Sequence, residues 1–272
     1  METYRQKIIR HLRQGPDIQS VVRGGVELFE RAKSLGIDWE SYDGPDISRM
    51  FGGHLGLDLY TYSFNVKVSF SSIQYKPTVI LFPPNSSLCV EVTDNPQSPA
   101  HYLSSRGPQT IAAFTGPTFT EESHFLPNNG FYHEHKYINP FEETSPHGQR
   151  RGAVVVDRAG SVSIINDHEK WDMLNGNMEE VHSMSGTSWF FTSDDKLDDQ
   201  EFSSFTACND VSYLIWHQDK KGNERLAFTA SRMPVQRGHM KLLVDAFARD
   251  VDASYYRATE LEYTGSSCVV KS

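Results

Sequence analysis

From residue 57 onward, apolar side chains alternate with polar ones, and this period of two limits the chain to a largely β fold. Leu57, Leu59, Tyr60, Tyr62, Phe64, Val66, Val68 and Phe70 carry the longest such run. Successive side chains of a strand point to opposite faces, so this pattern prepares one face for burial. Leu88, Val90 and Val92 repeat it, while Val79-Ile80-Leu81-Phe82 and Ile111-Ala112-Ala113-Phe114 are short continuous apolar runs, each the length of a strand. Gly152–Asp157 with Val162, Ile164 and Ile165, and Val211–Trp216 with Arg225–Thr229, each flank a turn and read as hairpins. Met240, Leu243, Val244 and Phe247 stand at i, i+3, i+4 and i+7, so one late amphipathic helix should lie on a sheet. The stretches 120–150 and 167–205 are polar and turn-rich and read as loops. The fold class expected is α+β: mostly antiparallel sheet with a few packed helices.

The first 55 residues follow a different period. Ile8, Ile9 and Leu12 make a short helical stripe that Gly15-Pro16 ends, and Asp17 is a plausible N-cap for a second helix carrying Ile18, Val21, Val22, Phe29 and Ala32. Tyr42-Asp43-Gly44-Pro45-Asp46 and Gly52-Gly53 form a turn-rich linker. Residues 1–55 are therefore expected to be a small helical N-terminal appendage, able to make an oligomer contact, and residues 56–272 a single α+β domain.

Charge and cysteine content narrow the partners. The net charge is -9 and no basic tract occurs, which argues against nucleic acid. Cys89, Cys208 and Cys268 form no C-x-x-C pair, which excludes a zinc knuckle and favours reduced thiols in a cytoplasmic setting. The start METYRQKIIRHLRQG has no apolar core of the signal-peptide kind, and no apolar stretch is long enough to span a membrane. A cytoplasmic protein with no membrane partner is the expectation.

The densest chemistry lies at the end of the chain. Ala258-Thr259-Glu260-Leu261-Glu262 is an alternating strand, Tyr263-Thr264-Gly265-Ser266-Ser267 a small-residue turn, and Cys268-Val269-Val270 another strand. A turn of this kind can place a carboxylate, two hydroxyls and backbone N–H groups at one mouth, as sites for sugars and phosphates require. An ordinary hairpin turn accounts for the same residues without any ligand.

Three signals in order resemble the phosphodiester glycosidase family. In that family a strand ends in Asn-Gly-Gly-Phe-Phe, a hairpin-rich middle follows, and a helix precedes Ala-Leu-Asn-Leu-Asp-Gly-Gly-Gly-Ser-Ser. Here Ala112-Ala113-Phe114-Thr115-Gly116-Pro117-Thr118-Phe119 occupies the first place, Met240 to Asp250 the helix, and Ala258 to Ser267 the last motif. The resemblance spans roughly residues 57–272. Thr115 stands where the family has Asn, Glu262 where it has Asp, and Tyr263-Thr264 where it has two glycines; the family's Arg before the second hairpin has no counterpart at Asn209-Asp210. The resemblance implies Glu262 and Thr115 as catalytic residues. It implies Gly116, Thr264, Gly265, Ser266 and Ser267 as substrate contacts, and a sugar phosphate or glycoside as the small-molecule partner.

A second constellation is independent of that family. Phe131-Tyr132-His133-Glu134-His135-Lys136-Tyr137 separates two imidazoles by one residue. On a strand, His133 and His135 would share a face and could hold a divalent cation, with Glu122, His124 or His147 as a third ligand. Tyr132, Tyr137 and Phe141 could stack on a sugar. The acidic run Asp194-Asp195 and Asp198-Asp199 lacks the spacing of a calcium loop and reads as a solvated segment.

Two functions follow from these readings. One is hydrolysis of a glycosyl phosphodiester or a related sugar–phosphate bond. The other is binding of a nucleotide or sugar phosphate on the same scaffold with the chemistry lost. A structural protein associating through its N-terminal helices is the plainest third.

Overall fold

A computed structural model describes residues 58–68, 71–92, 110–115, 130–141, 151–198, 201–202, 211–231, 236–262 and 266–271. The expected helical appendage, residues 1–55, lies outside them. The first half comprises β1 (Asp58–Thr61), β2 (Phe64–Val68), β3 (Ser71–Tyr75), β4 (Thr78–Leu81), β5 (Ser87–Val92), β6 (Thr110–Thr115), β7 (Phe131–His133) and β8 (Lys136–Asn139). Next come β9 (Gly152–Asp157), β10 (Val162–Asn166), helix α1 (Asp167–Asn175), β11 (Val181–Thr187) and β12 (Trp189–Thr192). The chain continues with β13 (Val211–Asp219), β14 (Glu224–Ser231), helix α2 (Arg237–Asp250), β15 (Ala253–Glu262) and β16 (Ser266–Lys271).

The strands form a six-stranded sheet in the order β1-β4-β14-β13-β15-β12 and a five-stranded sheet in the order β10-β9-β11-β7-β8. A three-stranded sheet, β5-β16-β6, and the hairpin β2–β3 complete the set. The pairings among described strands are antiparallel, and both expected hairpins are present as β9–β10 and β13–β14.

Side-chain alternation decides how these sheets stack. Tyr213, Ile215, Ala258, Val79 and Leu81 point to one face of the six-stranded sheet, where Met240, Leu243, Val244 and Phe247 of α2 cover them. Their neighbours Leu214, Leu261, Ile80 and Phe228 point the other way, into Phe131, Val154, Val156 and Ile164 of the five-stranded sheet. The outer face of that second sheet, with Ala153, Val155, Ile165 and Met184, packs against Met173 and Leu174 of α1. The layers thus run α2, six-stranded sheet, five-stranded sheet, α1. Each fully buried Leu, Ile or Phe in them contributes roughly 1.5–3 kcal/mol.

The segment 167–205, expected to be loop, carries α1, β11 and β12. Asn166 accepts from the Glu169 amide at 2.9 Å and Glu169 accepts from the Asn166 amide at 2.9 Å, a reciprocal capping box that starts α1. Glu169 also receives two bonds from Arg257 of β15, at 2.7 and 3.0 Å, which tie the outer helix to the six-stranded sheet. Burial alone would raise the Glu169 pKa, but the Arg257 and Asn166 hydrogen bonds more than offset it and hold the carboxyl below its ordinary value. The inward residues of β11 are Ser183, Ser185 and Thr187, all buried, so the strand lacks the apolar alternation that would mark it in sequence.

Candidate functional site

The two distant motifs meet in the backbone. Thr115 ends β6 and stands directly opposite Ser267 of β16, while Ser266 stands opposite Val92 of β5. Glu262 is the last residue of β15 and pairs with Val211 of β13. Between Glu262 and Ser266 the chain leaves the six-stranded sheet for the centre of the three-stranded one. Gly116, Thr264 and Gly265 lie outside the described residues.

The same end of the sheet holds the start of α2. Helix α2 and β15 run in opposite directions, joined by the short turn at Val251-Asp252, so the helix N-terminus returns to the end of β15. Arg237, the first residue of α2, reaches Glu260 of β15 with Nε 3.5 Å from Oε2. Tyr213 of β13 donates its hydroxyl to the same oxygen at 2.8 Å. Trp189, Glu260 and Tyr213 are neighbours across three strands, and the Arg237 guanidinium lies 5.3 Å from the Trp189 ring centre. Glu260 is 0% exposed and Arg237 only 5%.

Burying this pair has an electrostatic logic. An isolated carboxylate in such surroundings would be costly, and Arg237 offsets that cost. Yet Glu260 Oε1 has no hydrogen-bond partner among the described residues. Gln236 provides no side-chain cap, and no acidic residue occupies the first turn of α2. The first turn therefore keeps its positive dipole end, to which Arg237 adds a full charge. The helix dipole and the Arg237 charge thus both face the buried Glu260 carboxylate.

Close packing fixes that helix start. A Cβ on Gly238 would sit 2.3 Å from the Phe202 ring, so only glycine fits there. His239 follows, 5.9 Å from Phe202 ring to ring. Its Nδ1 is buried without a partner among the described residues, and burial lowers its pKa, favouring the neutral ring.

Glu260, Arg237, Tyr213 and Trp189 escape a reading of sequence because they converge from four elements. One signal was available. A cation as the first residue of a helix opposes the dipole, and so calls for a nearby anion.

The histidine pair is arranged differently from expectation. His133 ends β7, and Glu134 and His135 form the two-residue turn into β8 with φ of 46° and 66°. A turn with both central residues at positive φ reverses the chain, so His133 and His135 do not share a strand face. His135 Nε2 accepts from Arg158 Nη2 at 2.9 Å. His182 of β11 takes the place beside His133, with ring centres 5.0 Å apart. Glu122, His124 and His147 lie outside the described residues. Tyr132 is buried beneath the second sheet and Phe141 packs beside it, so of the three expected stacking rings only Tyr137 is exposed. In the acidic run, Asp195 accepts from the Thr192 amide at 2.7 Å and Asp198 from the Glu201 amide at 2.7 Å, so both serve local turns.

No helix among the described residues is long and apolar enough to cross a membrane. No family model matches the chain, and no curated protein does. Among solved structures, the chain is similar to the catalytic domain of the zebrafish N-acetylglucosamine-1-phosphodiester alpha-N-acetylglucosaminidase, auto-inhibited by its pro-peptide. That likeness has 10% identity and a TM-score of 0.47, over 79% of this chain and 73% of the other.

Proposed function

We propose that the chain is a hydrolase for a glycosyl phosphodiester or a closely related sugar–phosphate linkage. The observation that carries this reading is the backbone pairing of Thr115 with Ser267, five residues along the chain from Glu262 at the end of β15. Cleaving such a linkage needs a carboxyl group near the leaving oxygen and donors for the phosphate charge. Glu262 is the group for proton transfer. Ser266, Ser267 and the Gly265 amide are donors for phosphate oxygens. Thr115, with Gly116 and Thr264, contacts the sugar side of the substrate. A divalent cation held by Glu262 is compatible with this chemistry, and the working partner is a small sugar phosphate or glycoside.

The test is sugar release by the full-length chain from a panel of glycosyl phosphodiesters and nucleotide sugars. Turnover is expected on at least one member. Glu262→Gln should lower it at least about 100-fold, the scale of a lost general acid or base, with an unchanged melting midpoint. A folded chain that turns over no member overturns the proposal. Stabilisation by a sugar phosphate with no product would point to a binding protein instead, the reading favoured by Thr115, Glu262, Tyr263 and Thr264 standing where the family has other residues.

A further inference from the structure

The turn between β7 and β8 has a feature its sequence does not favour. Two-residue turns with both central φ values positive prefer Asn-Gly or Asp-Gly. Here Glu134 and His135 occupy those positions, at φ 46° and 66°, which costs on the order of 1 kcal/mol or more per residue. Across the sheet, β11 has an irregularity on its β9 side between Val181 and Ser183, leaving His182 as the extra residue. Bulges of this type re-aim a side chain. The Glu134 amide donates to the His182 carbonyl at 2.9 Å, so the turn is locked against the bulge.

These two departures bring three ligand groups together. One ligand atom from each of His133, Glu134 and His182 lies within 4.8 Å of the others. His133 is stacked on the buried Phe131 ring, with centres 5.8 Å apart and planes 10° from parallel. His182 meets His133 edge to face, 5.0 Å away. Nδ1 of His133 is buried and has no hydrogen-bond partner among the described residues. A polar atom taken from water without a partner is costly, and a metal ion or a metal-bound water would relieve that cost.

We propose that His133, Glu134 and His182 form a binding site for a divalent transition metal ion of the zinc class. Two imidazoles and one carboxylate are a donor set such ions accept. Tetrahedral coordination at about 2.0–2.1 Å places ligand atoms about 3.3 Å apart. Small rotations of the exposed Glu134 and the half-buried His182 close the remaining distance. Three protein ligands leave a coordination position for water or a small anion. The site belongs to the five-stranded sheet and stands whether or not the chain hydrolyses sugar phosphates.

The experiment is titration of the metal-stripped full-length chain with Co2+ at neutral pH, read by its visible d–d absorption, followed by competition with Zn2+. One Co2+ per chain and displacement by Zn2+ are expected. Glu134→Gln alters an exposed turn residue, retains the fold by circular dichroism and should weaken binding at least tenfold. His182→Gln should weaken it further, while His135→Ala should bind as the unaltered chain does. Absence of stoichiometric binding at millimolar metal overturns the proposal, as does equal binding by Glu134→Gln. If His182→Gln fails to fold, Glu134→Gln alone decides. The many histidines of the chain, 11 in all, make the comparison of variants the deciding reading rather than binding alone.

Discussion

The six-stranded sheet has two apolar faces that differ in the polar groups they bury with the hydrocarbon. Towards the five-stranded sheet it buries hydrocarbon and a few hydroxyls: Leu214, Phe228 and Leu261 pack there, and the Thr259 hydroxyl donates to the Trp189 carbonyl at 3.0 Å and lies 2.6 Å from the Thr187 hydroxyl. Towards α2 it buries a comparable apolar core and, within it, ionisable groups. Glu260, Arg237, Lys241 and His217 all sit on that side with at most 7% exposure. Charges and unpartnered imidazoles are expensive to bury. Both faces therefore hold the fold together through apolar cores, and the helix side alone adds buried ionisable groups to its core.

Removing one charge from the helix side should have the largest effect. Arg237→Ala leaves Glu260 buried and uncompensated, and should cost about 3–5 kcal/mol in urea unfolding. Adding Glu260→Met should return most of that loss, since neither charge then remains. If the double variant is as unstable as the two single losses summed, the pairing is wrong. The opposite face should respond to cavity formation alone: Leu214→Ala should cost about 2–5 kcal/mol, with no dependence on pH between 5 and 8.

The contrast sharpens with acid. His217 is buried with both ring nitrogens unpartnered among the described residues, against the edge of Phe247 at 5.7 Å. Burial first, then the Arg225 charge, pushes its pKa down to about 4. The unfolded chain takes up that proton near pH 6.5, before the folded chain does. Stability from the neutral ring is therefore complete above about pH 6.5 and is lost as pH falls towards 4, to a total of up to about 3 kcal/mol. His217→Phe should flatten the stability profile across that window, as urea midpoints would register. The smallest expected loss is at the rim. Arg257→Met removes the paired bonds to Glu169 and should cost about 1–3 kcal/mol, melting α1 before the sheets in hydrogen exchange.

The two faces were not equally legible in the sequence. The apolar face announces itself through alternation at Leu214 and Phe228, and α2 through Met240, Leu243, Val244 and Phe247. Helix α1 was missed although Asn166 and Glu169 carry the spacing of a capping box, because its short apolar stripe is weak. Strand β11 was missed because Ser183, Ser185 and Thr187 are polar yet buried. The Arg237–Glu260 pair joins residues from different elements, and only the cation at the start of α2 hints at it. The His133–His135 spacing suggested a shared strand face, which a two-residue turn with positive φ cancels. What local periodicity writes can be read; what distant strands assemble cannot.

The measurement that bears most directly on the proposed site is a double-mutant cycle between Thr115 and Glu262, read as sugar release from a glycosyl phosphodiester. Thr115→Val and Glu262→Gln act on one transition state in this account, so their effects should fail to multiply by at least a factor of about ten. Effects that multiply independently, or a Thr115→Val variant indistinguishable from the unaltered chain, would mean that β6 and the end of β15 do not serve a common opening.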